Sequence, residues 1–458
     1  MSESREASAQ RAVNEGYALL GQKRFIDALN AFDTAIGLAP DLVHAHASRG
    51  LILNGLKRHS EALAAYHRAL QIDPEYAFAH HNQAMVLIAL DDLEGALAGI
   101  DRAIALRPSV ADFHVSRGNV LKALGRFDQA RQGYETALSI DPALPRARQA
   151  RAALRLLQGD LVQGFEELEA IRAKPAIAGP EKDLVRFLAL SSEDRIGKTV
   201  LLDGERGLGD TIQYCRYTLE IGKMGARVLL APQARLKALM RSLGPGAEII
   251  DPTEKAPSFD YRAGLMSLPQ IMRTDLDSVP ATTPYLAAQP DRMAHWAPRL
   301  GGSGFRIGVC WQGGTAGGDD WGRSFPASVF AGLASVPGVR LISLHKGEGE
   351  SQLAGLPGGT IESLGAQFDD GPDGFLDTAA AIKLCDLIVT SDTAVAHLAG
   401  ALGAPVWLAL QHVPEFRWLL ERSDTPWYPT MTLYRQSVRG DWAGPFGRME
   451  RDLRARPN

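Results

Sequence analysis

ALNAFDTAIGLAP (28–40), ALAAYHRALQIDP (62–74), ALAGIDRAIALRP (96–108) and ARQGYETALSIDP (130–142) are one phrase written four times. The closing prolines, Pro40, Pro74, Pro108 and Pro142, fall 34 residues apart without an insertion. Ala28, Ala62, Ala96 and Ala130 form a column of small residues; Phe32, Tyr66, Ile100 and Tyr134 form a column of large ones four positions later. Ala35, Ala69, Ala103 and Ala137 make a third. Small side chains at a fixed column let two helices approach closely, and the large ones fill the space between them. Proline cannot continue a helix, so each phrase closes the second helix of a unit and turns the chain into the next.

A helix–turn–helix unit of about 34 residues is the tetratricopeptide-repeat (TPR) pattern. The expected fold of residues 1–175 is therefore an α-solenoid of four clear repeats. A fifth unit begins near Arg148 and decays: Gly159, Gly164 and Leu168 keep its outline in LLQGDLVQGFEELEAI (156–171), and its closing proline is missing. Solenoids need such an atypical unit as a cap. In the first helix of each repeat, Asn14, Ser48, Asn82 and Ser116 recur on one column. Amides and hydroxyls both donate and accept, so this ladder can hold a peptide backbone whatever its sequence; it can equally be an ordinary solvated face.

Beyond a linker with Pro175 and Pro180 the periodicity changes. KTVLLD, ARVLLAP and AEIID alternate with helical stretches such as TIQYCRYTLEIGKMG and QARLKALMRSL. FRIGVCW, VRLISLHK, DLIVTSD and PVWLALQ form a second series, and GDWAGPFGRMERDLRAR (440–456) reads as a terminal helix. This is the pattern of parallel sheets. GGSG at 301–304 marks a hinge, dividing the region into halves at 183–300 and 301–458. Two Rossmann-like halves with a cleft between them describe the α/β GT-B architecture, shared with phosphorylases and epimerases.

Ligands of open parallel sheets sit beyond the carboxyl ends of the strands, which makes three loops informative. In LLDGERGLGDTIQYCRY (201–217), Gly204, Gly207 and Gly209 allow a tight turn before Asp210, which either caps a helix or faces the cleft as a general base. The spacing is not that of a dinucleotide fingerprint, and Leu230-Ala231-Pro232 lacks the ribose-binding acid. IGVCWQGGTAGGDDWGRSFP (307–326) offers Gln312 and Thr315 as donors and Arg323 as a cation, a set suited to a leaving phosphate, or to a surface loop with a salt bridge. In VTSDTAVAHLAGALGAPVWLAL (389–410), Asp392 and Thr393 precede a helix whose amides can bind phosphate, with His397 one turn inside on the same face. Asp275-Leu276-Asp277 follows no strand and reads as structural, so no metal site is assigned; Asp369, Asp370 and Asp373 read as a solvated acidic loop.

Composition narrows the class. A net charge of −4 with no long basic run argues against sequence-independent nucleic-acid binding. MSESREASAQ is too polar for a signal peptide, and no uncharged apolar run reaches the ~18 residues of a membrane span. Cys215, Cys310 and Cys385 lie far apart and read as buried, reduced thiols, which points to the cytoplasm.

GLGDTIQYCRY, FDYRAGLMSLP, RSFP, SDTAVAHLAGALGAPVWLAL, FRWLLERSDTPWYPTMTLYRQ and GDW, in this order, resemble the bacterial TPR-containing glycosyltransferases, a family that includes transferases modifying flagellin. The third motif also resembles the donor-binding loop of lipopolysaccharide heptosyltransferases. The resemblance implies Asp210 as the base, Arg323 on donor phosphate, and Asp392, Thr393 and His397 in the donor-binding turn. Ala394 stands where heptosyltransferases carry glycine, and HVPEFRW (412–418) departs from their aromatic–acid pattern. The implied activity is transfer of a sugar, such as pseudaminic or legionaminic acid, from a CMP-linked donor to a Ser or Thr of flagellin held by the TPR groove. No further cofactor is implied. The alternatives are an ADP-heptose-type transferase and a non-catalytic TPR adaptor.

Overall fold

A computed structural model describes residues 4–172, 183–205, 207–254, 256–314 and 322–456. The chain forms two compact units, Met1–Leu154 and Arg155–Asn458. In the first, the four phrases become helical hairpins: α1 (Arg5–Gly21) with α2 (Phe25–Leu38), α3 (Val43–Gly55) with α4 (His59–Ile72), α5 (Ala77–Ala89) with α6 (Leu93–Leu106), and α7 (Ala111–Ala123) with α8 (Phe127–Ile140). Phe32, Tyr66, Ile100 and Tyr134 are all fully buried. What faces them is matched in size. A Cβ at Gly16 would lie 2.8 Å from Phe32, one at Gly50 2.9 Å from Tyr66, and Gly118 is covered as closely by Tyr134. The repeat with the smaller Ile100 carries Ala84 at that column instead.

Each hairpin turns through a left-handed residue on one column, Lys23, Lys57, Asp91 and Gly125, and the fifth unit keeps Gly159 there. The following amide in each case reaches back five residues, as Arg58 N to Leu53 O at 2.8 Å, which ties off the helix end. Junctions between hairpins have their own recurring bond. Nε2 of His46, His80 and His114 lies 2.8–2.9 Å from the carbonyl oxygens of Pro40, Pro74 and Pro108, and Arg148 Nε donates to that of Pro142 at 2.9 Å. The proline carbonyl, stranded at a helix end, is thus satisfied by a side chain six residues on.

The unit boundary falls inside α9 (Pro145–Leu157), so the expected 1–175 region is divided. The last helix, α10 (Leu161–Ile171), packs with the α/β residues: Leu161 and Phe165 share a core with Leu184, Phe187, Val200 and Leu202.

Among the described residues the second unit holds two wholly parallel sheets. β1 (Thr199–Asp203), β2 (Arg227–Ala231), β3 (Glu248–Ile249) and β4 (Tyr261–Gly264) run in the order β3-β2-β1-β4. β5 (Phe305–Cys310), β6 (Val339–Ser343), β7 (Leu387–Thr390), β8 (Val406–Leu410) and β9 (Met431–Arg435) run β6-β5-β7-β8-β9. β7 and β8 are buried along their whole length, as strands covered on both faces must be. Strand order reverses between β1 and β4 and between β5 and β7, the positions where such sheets open a crevice.

β4 and β9 are additions to the strands read from sequence. QARLKALMRSL is not one helix but two short turns around Lys237–Met240. Pro290–Leu300, on the N-terminal side of the GGSG hinge, packs against helix Leu376–Leu384 beside the second sheet. Asp369 is not solvated: its carboxylate caps the latter helix, accepting from Asp377 N at 2.9 Å, and Asp377 returns a bond to Asp369 N at 3.0 Å. Asp275 Oδ1 accepts from Asp277 N, Ser278 N and the Ser278 hydroxyl, so it organises a turn. Cys215, Cys310 and Cys385 are free, the first two buried. Among the described residues no helix is long and apolar enough to cross a membrane.

Candidate functional site

After β1 the chain passes Gly204 to Gly207, which begins helix Leu208–Tyr214. Asp210 is the third residue of that helix, not its cap. Spacings of three and four put Gln213 and Tyr214 on the same face, and all three converge on Arg417, in the short turn after β8. Arg417 Nη2 binds Asp210 Oδ1 and lies 3.4 Å from Tyr214 Oη, Nε donates to Gln213 Oε1, and Nη1 pairs with Glu415 Oε1 at 2.8 Å. The Arg417 side chain is only 10% exposed and its guanidinium lies 4.7 Å from the Phe416 ring centre. Burial alone would weaken its hold on the proton, but Glu415, Tyr214, Asp210 and Asp392 together keep it well above the usual arginine value. The cleft therefore carries a permanent cation ringed by acids.

Helix Ala394–Ala401 meets helix Leu208–Tyr214 at Gly209, where a Cβ would come 3.0 Å from His397 Cδ2 and 3.5 Å from the Ala394 backbone. Glycine leaves room there for the close approach. Thr393 caps this helix in extended conformation, and its side chain makes no capping bond; its hydroxyl lies 3.4 Å from that of Thr390. His397 Nδ1 lies 2.9 Å from Tyr428 Oη, and its ring stacks on Trp418 at 5.5 Å. Burial, with Arg417 and Arg216 adding repulsion, pushes His397 well below the usual imidazole range, so it is neutral. Asp392 is pushed up by burial, while Trp418, Arg417 and Arg323 pull it down.

Arg323 lies over Gly313, whose Cβ would sit 3.5 Å from Nη2, and its buried Nε has no partner among the described residues. Gln312 is engaged elsewhere: its Oε1 accepts from Gln352 Nε2 at 3.3 Å. Thr315 lies outside the described residues. The structure thus brings Asp210, Asp392 and His397 together around Arg417, with Arg323 near enough to act on Asp392.

In the helical unit, Asn14 is exposed and its Oδ1 accepts from Gln10 at 3.0 Å. Ser48 is buried and donates to Tyr17 Oη at 3.1 Å. His81 engages both of the others, Nδ1 at 3.3 Å from Asn82 Oδ1 and Nε2 at 2.9 Å from Ser116 Oγ. All four rungs of the ladder are therefore tied to neighbouring side chains.

The tetratricopeptide-repeat family pattern matches residues 13–77 and 81–145. The N-terminal hairpins are tetratricopeptide repeats. Among solved structures the chain is similar, over about a third of its length, to MamA residues 41 to the end from Desulfovibrio magneticus RS-1 (16% identity, 36% of this chain, 93% of that chain, TM-score 0.33). It is also similar to PilF of Pseudomonas aeruginosa (19% identity, 38% of this chain, 81% of that chain, TM-score 0.35). Among curated proteins it is similar to Protein FlbA of Caulobacter vibrioides, 26% identical over 332 residues, 67% of this chain. That match spans 54% of FlbA, about half the length of the relative.

Helix α10 reaches loops of the cleft. Arg172 at its end pairs with Glu205 in the β1 loop, Glu169 accepts from Ser267 Oγ at 2.9 Å, and Phe165 meets Phe416 edge-on at 5.6 Å. Arg417, Glu415, Gln213 and Tyr428 are the site residues that sequence reasoning did not single out. Gln213, Arg417 and Tyr428 do lie inside the motifs that carry the resemblance, and FRW follows a buried strand, where cleft residues of a parallel sheet belong.

Proposed function

We propose that the α/β unit is a cytoplasmic, metal-independent, inverting nucleotide-sugar glycosyltransferase of GT-B architecture, and that its TPR repeats recruit a protein acceptor. The observation that supports this best is the junction of Asp210, from the first sheet, with Arg417, Asp392 and the start of helix Ala394–Ala401, from the second. An acid faces a cation and a helix N-terminus across the crevice between two parallel sheets. In the proposed reaction the acceptor hydroxyl oxygen attacks the anomeric carbon and passes its proton to Asp210. The bond from that carbon to the nucleotide phosphate breaks, and the departing phosphate takes up the electron pair. Arg323 and the amides at Thr393 and beyond would neutralise it. A phosphate competing for Arg417 would also loosen that residue's hold on Asp210, freeing the carboxylate for the proton.

The resemblance of the motifs supports flagellin as acceptor and a CMP-linked nonulosonic acid as donor. Thermal unfolding of the full chain with CMP, UDP, GDP and ADP tests the reading. A ligand at a hundred times its Kd adds about 2.7 kcal/mol to apparent stability, so CMP should raise the melt and the others should not. The matching CMP-sugar should then add one sugar mass to flagellin. A flat response to all four nucleotides sinks the transferase reading and leaves a TPR adaptor.

A further inference from the structure

Behind the cleft, one buried cation has no part in the reaction described above. Arg216 is 2% exposed, and its guanidinium is met by neutral oxygens: Gln213 O at 2.8 Å, Pro280 O at 3.0 Å, Trp427 O at 2.6 Å and Tyr285 Oη at 2.9 Å. It is packed among rings, 4.6 Å from the centre of Tyr285 and 4.5 Å from that of Tyr428. A charge buried among neutral partners is costly, and its placement beside Tyr428 has a chemical consequence. Tyr428 is itself fully buried, and its hydroxyl lies 2.9 Å from His397 Nδ1.

We propose that Tyr428 and Arg216 are positioning residues that hold His397 as a neutral imidazole with its proton on Nε2. The argument is a count of protons. Tyr285 donates its proton to Ile212 O at 2.9 Å and accepts from Arg216. Tyr428 has one proton; the Tyr285 hydroxyl is also in bonding range of it but already accepts from Arg216, which leaves His397 Nδ1 as the acceptor for that proton. A buried phenol that failed to donate would leave a polar hydrogen unsatisfied in the core. The guanidinium over its ring draws electron density from the phenol and strengthens it as a donor. The same positive charge favours a lone pair, not a second N–H, on the imidazole nitrogen facing it. The ring's other edge, Nε2–Cδ2, is the one turned to Gly209, next to Asp210. His397 therefore offers the cleft an N–H donor that carries no charge. Its use on an oxygen of the nucleotide donor rests on the transferase reading; the tautomer does not.

The test is a long-range proton–nitrogen correlation spectrum of the full chain labelled with 15N-histidine, with the His397 signals assigned by their loss in His397→Gln. The wild type should show a single species at neutral pH, protonated at Nε2 and bare at Nδ1. Tyr428→Phe, which removes one oxygen, should draw both shifts toward the mixture of tautomers seen in free imidazole. Arg216→Gln should move them the same way by less. A wild-type proton on Nδ1, or unchanged shifts in Tyr428→Phe, overturns the proposal. CMP titration separates it from the wider reading: Tyr428→Phe should weaken CMP about three- to tenfold, the loss of one hydrogen bond. If the tautomer shifts as expected and CMP binds neither protein, the positioning role stands and the nucleotide site fails.

Discussion

Replacing Arg417 with Met keeps the bulk over Phe416 and removes the only positive charge that touches Asp210 among the described residues. Removing one partner of a buried pair costs about 3–5 kcal/mol, because the other charge is left behind. Here water recovers part of that loss, since the Asp210 and Glu415 side chains are 26% and 39% exposed. A net destabilisation of about 2–3 kcal/mol at neutral pH follows, or roughly 4–6 °C in Tm for a unit this large. The pH dependence makes the reasoning specific. Burial already holds Asp392 above the usual carboxylate range with Arg417 present. A carboxyl whose folded pKa exceeds its unfolded one stabilises the fold below the unfolded value, about 4, and that contribution is lost as pH rises through the folded value. Without the cation that folded value rises further. The deficit of Arg417→Met should therefore be largest at neutral pH and shrink as pH falls toward about 4. Melting curves of both proteins across that range measure it. A deficit of constant size would show that Arg417 contributes packing alone, and the electrostatic account would be wrong.

Asp210→Asn keeps the shape of the side chain and should lower sugar transfer by about 10²–10⁴ while leaving nucleotide affinity nearly intact, as measured by turnover and titration together; near-normal turnover would dismiss it as the base. Within the TPR repeats, Tyr66 Oη is buried without a partner among the described residues, whereas Tyr134 Oη donates to Asn119 at 2.9 Å. Tyr66→Phe should therefore raise stability by about 1 kcal/mol and Tyr134→Phe lower it by a similar amount in denaturant melts; equal effects would contradict the difference. Phe165→Ala removes the ring that meets Phe416 and should destabilise the α/β unit by about 3 kcal/mol, with faster amide exchange in 411–420. Unchanged exchange there would mean that α10 does not brace the cleft.

Much of the fold could be read directly because its cause is periodic. Gly16, Gly50 and Gly118 face rings and Ala84 shares a core with Ile100, so helix contact is written as columns that recur at a fixed distance. The buried strands β7 and β8 announced themselves as apolar runs. β4 escaped notice because YRAG is short and half-exposed, and β9 because an edge strand needs apolar residues on one face only. Asp210, Asp392 and His397 were legible from strand–loop–helix context. Their partner Arg417 was not, since its contacts to Asp210 and Gln213 join residues more than two hundred positions apart. The same holds for α10: its pattern is that of a worn repeat, and nothing local reveals that Phe165 and Arg172 face Phe416 and Glu205.

The bonds from His46, His80, His114 and Arg148 to the preceding prolines bear on how this array could have grown. Each junction is made by a carbonyl at the end of one cassette and a donor six residues into the next. A segment cut from one proline to the following one therefore carries its own donor inward and its own acceptor outward. Duplicating or deleting such a cassette leaves every remaining junction chemically complete. Arg148 shows the rule tolerating a different donor at the boundary with the worn fifth unit, so array length can drift while both ends stay closed.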